Sequence, residues 1–134
     1  LMALGNAKQE SSLPVIIEKT ALLKPEDYFS HFRAVSMAFE SIGSKDAVPT
    51  LTKMLTMPGV RNHSISSFHD ARKSVVPDAD DVSTRNKSLK ELHIARALYL
   101  CGDKDSLGER VLRKYAEGLQ GHYARYASEL LANK

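Results

Sequence analysis

The side chains best suited to chemistry are five histidines, one cysteine and a group of serines. The histidines are His31, His63, His69, His93 and His122. A metal site on a helix wants a histidine or carboxylate partner three or four residues away, on the same face. His93 and His122 have no carboxylate at that spacing. His63 and His69 lie in one polar stretch beside Asp70. They could join a metal or an acid–base site, but the polar surroundings favour solvated loop histidines. Cys101 follows Leu98 by one helical turn at the end of an apolar run, the place of a buried structural thiol. His93 stands two turns earlier, so a cysteine nucleophile with a histidine base is geometrically open as a second reading. Ser64, Ser66 and Ser67 lack the Gly-x-Ser-x-Gly elbow of a hydrolase. Gly102, Gly108, Gly118 and Gly121 form no phosphate-binding fingerprint. Tyr115, Tyr123 and Tyr126, with Arg113 and Arg125, would suit a stacking surface for nucleic acid or a sugar. Their helical spacing favours packing between helices instead.

These residues therefore predict no catalytic centre, no metal site and no cofactor site within the chain. The candidate interaction residues are His63, Phe68, His69, Arg72 and Lys73, in a polar, irregular stretch over residues 58–88. Ser66 or Ser67 could cap a short helix there, running through Lys73. The rest reads as a long inserted loop, and loops of that length are commonly functional or disordered.

Three stretches share one pattern of helix, glycine, polar turn and new helix. They centre on Gly5, Gly43 and Gly102. Glycine accepts the positive φ that closes a helix. Ser11, Asp46 and Asp105 are the expected caps of the helices that follow. Pro14 and Pro49 fall in first turns, where a missing N–H costs little. Before Gly43, residues 25–42 read as a helix opened by Pro25, Glu26 and Asp27. Its apolar stripe is Tyr28, Phe32, Val35, Phe39 and Ile42. Before Gly102, residues 86–101 repeat the arrangement with Leu89, Leu92, Ala95 and Leu98. Shorter helices follow through Val48, Leu51, Met54 and Leu55, and through Leu107, Val111, Leu112 and Tyr115. A last one covers roughly 122–132. No segment has a convincing strand period. The opening Leu1-Met2-Ala3-Leu4-Gly5 resembles a helix end, so the chain is expected to be a piece of a longer one, cut inside or beside a helix.

The 134 residues suit one domain, and 43% hydrophobic with 26% charged residues suits a globular one. One cysteine allows no internal disulfide. No apolar run is long enough to span a bilayer. Nineteen basic and sixteen acidic residues give a net charge of +3. All of that excess falls in residues 58–134, where it is interleaved with acids, as Arg110, Arg113 and Lys114 are with Glu109 and Glu117. Interleaved charge describes a solvated helix face rather than a phosphate-tracking stripe, so nucleic acid is a disfavoured partner.

The segments Ile42-Gly43-Ser44-Lys45-Asp46-Ala47-Val48-Pro49-Thr50-Leu51 and Ala97-Leu98-Tyr99-Leu100-Cys101-Gly102-Asp103-Lys104-Asp105-Ser106-Leu107 resemble HEAT-like repeats of the bacterial PBS-lyase type. The resemblance covers about two thirds of the chain and leaves the insertion unexplained. Gly108 stands where the third copy would have its proline. It implies an all-α, α-α superhelix, a HEAT-like or ARM-type solenoid of stacked antiparallel helix pairs. Residues 1–134 would form one such domain with the 58–88 loop inserted. The chain also resembles the C-terminal helical region of large bacterial FAD-dependent oxidoreductases. That implies FAD in an upstream part, since these residues contain no Gly-rich βαβ turn. Helical-repeat di-iron hydroxylases use His-Glu pairs, and no His-Glu dipeptide occurs here. The expected role is a non-catalytic scaffold or interaction domain. Its partner would be the rest of its own polypeptide or another protein, with self-association over any exposed apolar face and no membrane partner. The alternatives are an independent protein- or nucleic-acid-binding module, or a bilin-lyase-like enzyme.

Overall fold

A computed structural model describes residues 12–64, 83–103, 106–118 and 121–132. Among these residues the fold is all-helical, with no strand. The α-helices are α1 (Leu13–Thr20), α2 (Phe29–Ile42), α3 (Val48–Leu55), α4 (Ser83–Leu100), α5 (Leu107–Ala116) and α6 (Gly121–Ala132). A short 3-10 turn, Lys45–Ala47, leads into α3. None of the described helices is long and apolar enough to cross a membrane.

Pro14 and Pro49 sit in the first turns of α1 and α3, as their spacing predicts. Helix α2 starts later than residue 25. The Asp27 carboxylate accepts the backbone N–H of Lys24 at 2.8 Å, so it closes a turn instead of capping a helix. Tyr28 is extended, and the helix begins at Phe29. Gly43 ends it at φ +66°, with its N–H on the Phe39 carbonyl at 2.9 Å. The cap that follows is Ser44, not Asp46. The Ser44 hydroxyl accepts the Asp46 N–H at 3.2 Å. Gly102 repeats the left-handed closure at φ +86°. There the capping carboxylate is Asp103, which accepts the Gly108 N–H. Gly5, Ser11 and Asp105 lie outside the described residues. So do Ser66, Ser67 and the helix expected to run through Lys73.

Helix α4 is the axis of the fold. It packs against α2, α3 and α5, while α5 packs on α6 and α1 on α2. Periodicity predicts a single stripe on it, but burial extends much further round. Ser88, Lys90, Glu91, Leu92, Ile94, Ala95, Ala97, Leu98 and Tyr99 are all buried. A helix gripped from three sides has little polar face left. It also begins at Ser83, so the last residues expected in the 58–88 loop are helical. Leu98 on this helix and Phe32, Phe39, Leu51 and Leu112 around it are fully buried. Each such side chain contributes roughly 1.5–3 kcal/mol relative to exposure.

Gly108 is explained by the same packing. A Cβ built on it would lie 2.7 Å from the Ala95 carbonyl oxygen and 3.0 Å from the Tyr99 nitrogen. The absent side chain lets α5 approach the α4 backbone closely, a job proline at this position would not do.

Candidate functional site

The deepest polar cluster is built around Glu91, which is 3% exposed. Its carboxylate accepts the backbone N–H of Asn62 at 2.7 Å and of His63 at 3.0 Å. It also accepts the Tyr115 hydroxyl at 2.7 Å. The Ser88 hydroxyl donates to the His63 carbonyl at 3.1 Å. The segment after α3 is thus pinned to the middle of α4, and α5 is tied in through Tyr115. Asn62 takes φ +68° to present its N–H, a conformation asparagine tolerates better than most residues. Burial, then the Glu91 charge, push the Tyr115 phenol far up, so it stays protonated and donates. The His63 ring bonds the Gly59 carbonyl through Nε2 at 2.7 Å, which requires the proton on that nitrogen. Of the predicted interaction residues, His63 is therefore part of a structural clasp. Phe68, His69, Arg72 and Lys73 lie outside the described residues.

A second cluster joins α2, α4 and α6. Arg96 pairs with Glu40 at 2.7 Å and donates to the Tyr126 hydroxyl. His93 packs between Phe29 and Tyr126, with ring centroids 5.4 and 6.3 Å away. Burial, reinforced by Arg33 and Arg96, lowers its pKa to about 4. It is neutral at pH 7 and serves as a packed aromatic ring. Cys101 is 2% exposed and directs its thiol to the Phe39 carbonyl at 3.5 Å. Burial raises its pKa to about 11, the wrong direction for a nucleophile. Cys101 and His93 thus engage different neighbours, as a structural thiol and a packed ring would. The tyrosines divide similarly: Tyr115 is core, with Tyr123 edge-on to it at 6.2 Å. Arg113 is exposed and pairs with Glu109 at 2.7 Å along one helix face. His31 and His122 are exposed.

Lys90 is 9% exposed yet satisfied. Its ammonium donates to the Pro25 carbonyl at 2.8 Å and lies 4.9 Å over the Phe32 ring. Burial lowers its pKa, opposed by Asp27 and Glu26. It holds the turn before α2 onto α4.

An apolar recess lies between the C-terminal half of α1 and α3. It is an open groove of about 220 Å³ bordered by Ile17, Thr20, Leu23, Lys53, Met54 and Met57, among others. Sequence reasoning missed Glu91, Lys90 and this groove. Glu91 alone carried a signal, an acid inside the stripe formed by Ser88, Leu92 and Ala95.

No group of three or more metal-ligating side chains is assembled among the described residues. The turns after Gly43 and Gly102, where a phosphate would seek backbone N–H groups, are capped by Ser44 and Asp103. Comparison with models of known families, with curated proteins and with solved structures found no match.

Proposed function

We propose that this chain is a non-catalytic helical-repeat interaction domain, the C-terminal accessory part of a larger bacterial enzyme such as an FAD-dependent oxidoreductase. The observation that carries the reading is the contact of α2 with α4. Each is the first helix of a pair closed by a left-handed glycine, and the two lie against each other despite their separation in sequence. Stacking of like helix on like helix is what HEAT-like pairs do. The perturbed groups support the same reading. Cys101, His93 and Tyr115 are all driven toward their uncharged forms, and each is spent on holding helices together. The flavin would belong to an upstream part, which this domain would dock against. In this role the protein supplies a rigid shaped surface, and its partner is the rest of its polypeptide or a second protein.

The test pairs a binding readout with two reactions. A photo-crosslinking residue at Tyr28, which is 78% exposed, is placed in the chain as expressed by its host. The expected product is a single cross-linked partner protein or a segment of the same polypeptide. The purified chain is also incubated with a bilin and acceptor protein, and with duplex DNA at low salt. Covalent bilin transfer would replace the reading with a lyase. A salt-dependent DNA shift would replace it with a nucleic-acid module.

A further inference from the structure

We infer that the recess between the turn before α2 and the first half of α4 binds a free α-amino acid with an apolar side chain, held through both its ammonium and its carboxylate. The inference goes beyond the interaction role proposed above and does not depend on it. The recess holds about 370 Å³, within the roughly 300–1,000 Å³ of small-molecule sites. Two carboxylates from the turn, Glu26 and Asp27, and two ammonium groups from α4, Lys87 and Lys90, line it. Lys87 and Lys90 stand three residues apart, so both project from one face of their helix. None of the four pairs with another among the described residues, where the ion pairs are Arg96–Glu40 and Arg113–Glu109. Lys24 and His31, next along the chain, do not line the recess.

Two of the charged groups sit deep and two at the rim. Lys90 is 9% exposed and Asp27 is half-buried, whereas Glu26 and Lys87 are exposed. The Lys90 ammonium, held over the Phe32 ring, gives one of its three N–H groups to the Pro25 carbonyl, which leaves two for a guest. Asp27 accepts the Lys24 N–H with Oδ2, and its Oδ1 accepts nothing from the described residues. Opposite charges held apart across solvent gain little from one another. A guest carrying both signs closes both gaps, with charge-assisted hydrogen bonds at each end. A guest of one sign meets its like: an anion faces Glu26 and Asp27, and a metal ion faces Lys87 and Lys90. The apolar wall is Phe29, half-buried, and Tyr28, whose exposed ring stands edge-on to His31 at 6.0 Å. An apolar side chain on the guest lies against these rings.

The test titrates the whole 134-residue chain, labelled with ¹⁵N, with L-phenylalanine, and reads amide shifts and the dissociation constant. Two analogues each lack one charge: phenethylamine has no carboxylate, and 3-phenylpropanoate has no ammonium. Phenylalanine should shift the amides of Asp27, Phe29 and Lys90, leave those of α6 unmoved, and bind at least about tenfold more tightly than either analogue. Glycine, with no side chain to lay on Phe29 and Tyr28, should bind at least about tenfold more weakly than phenylalanine. Asp27→Asn keeps an acceptor for the Lys24 N–H, so the turn is preserved. It should weaken phenylalanine about tenfold without weakening 3-phenylpropanoate. Lys87→Gln, at an exposed position, should weaken phenylalanine about threefold without weakening phenethylamine. Silent amides at Asp27, Phe29 and Lys90, or equal binding of phenylalanine and either analogue, would overturn the inference. So would parent-like phenylalanine binding by both variants. NOEs from residues 65–82 to the Tyr28 ring in the free chain would assign the recess to the chain's own segment, with the same consequence. A cross-link from Tyr28 to a partner together with silent amides would remove the inference and leave the interaction role standing. Bilin transfer with phenylalanine still bound would do the reverse.

Discussion

Replacing Gly108 with alanine sets two effects of opposite sign against each other. Alanine is the better helix former by up to about 1 kcal/mol in a helix interior, and by less in the first turn, where Gly108 sits. The new methyl, however, would stand 2.7 Å from the Ala95 oxygen, 3.0 Å from the Tyr99 nitrogen and 3.3 Å from the Leu98 Cβ. Two of these atoms are backbone and cannot rotate away. Reaching an ordinary contact of 3.4 Å moves α5 off α4 by about 0.7 Å at that point. The shift loosens Leu112, which is fully buried, and Val111, which is 4% exposed. Overpacking of this kind costs typically ~1–3 kcal/mol. The net effect should be a loss of about 1–2 kcal/mol, read as a fall in melting temperature of roughly 3–8 °C for a chain of this size. Gly121→Ala is the control. Nothing lies within 4 Å of its added methyl, so it should leave stability unchanged or raise it by up to ~1 kcal/mol. The assay is urea and thermal unfolding followed by circular dichroism. If Gly108→Ala were as stable as the parent, or more so, while Gly121→Ala behaved as expected, the close approach of α5 to α4 would be refuted.

Three further outcomes follow from the buried groups. Glu91→Ala strips three donors of their acceptor and should cost about 2–4 kcal/mol in urea unfolding, with faster hydrogen exchange at the Asn62 and His63 amides. His93 has a folded pKa near 4 against 6.5 in the unfolded chain, so only the unfolded state takes up its proton between those values. Its contribution should be intact above pH 6.5 and lost as pH falls toward 4, by roughly 1–3 kcal/mol. Unfolding midpoints of the parent and His93→Leu, measured across that window, should converge as the pH drops. Cys101 should resist a disulfide reagent at pH 7.5 and react at an ordinary rate in denaturant, since burial holds its thiol protonated.

Local chemistry was readable from the sequence, and long-range contact was not. Gly43 and Gly102 announce left-handed helix ends because a positive φ is a property of one residue and its neighbours. Pro14 and Pro49 mark first turns for the same reason. The cap after Gly43 was misassigned by two residues: Ser44 and Asp46 are equally able acceptors, and only the turn geometry chooses between them. Gly108 looked like a departure from the repeat because its reason is the Ala95 carbonyl on another helix. The role of Glu91 was not legible, because its donors at Asn62 and His63 come from a segment far off in sequence. The groove is bordered by residues of both α1 and α3, so the pattern of neither helix alone reveals it. The burial of Cys101 was legible because it stands one turn after Leu98 at the end of the apolar run of α4, whereas His63, expected as a solvated loop histidine, is drawn into the clasp around Glu91 by partners distant in sequence.

The most direct measurement of the stacked-pair architecture is a set of interhelical NOEs across the whole chain. Contacts from the Gly108 Hα to Ala95 and Tyr99, and from α2 to α4, are expected, with the α2–α3 and α4–α5 pairs superimposing as two copies of one unit. Strand-type NOEs through Val48–Met54, or α2 and α4 lying apart, would contradict it.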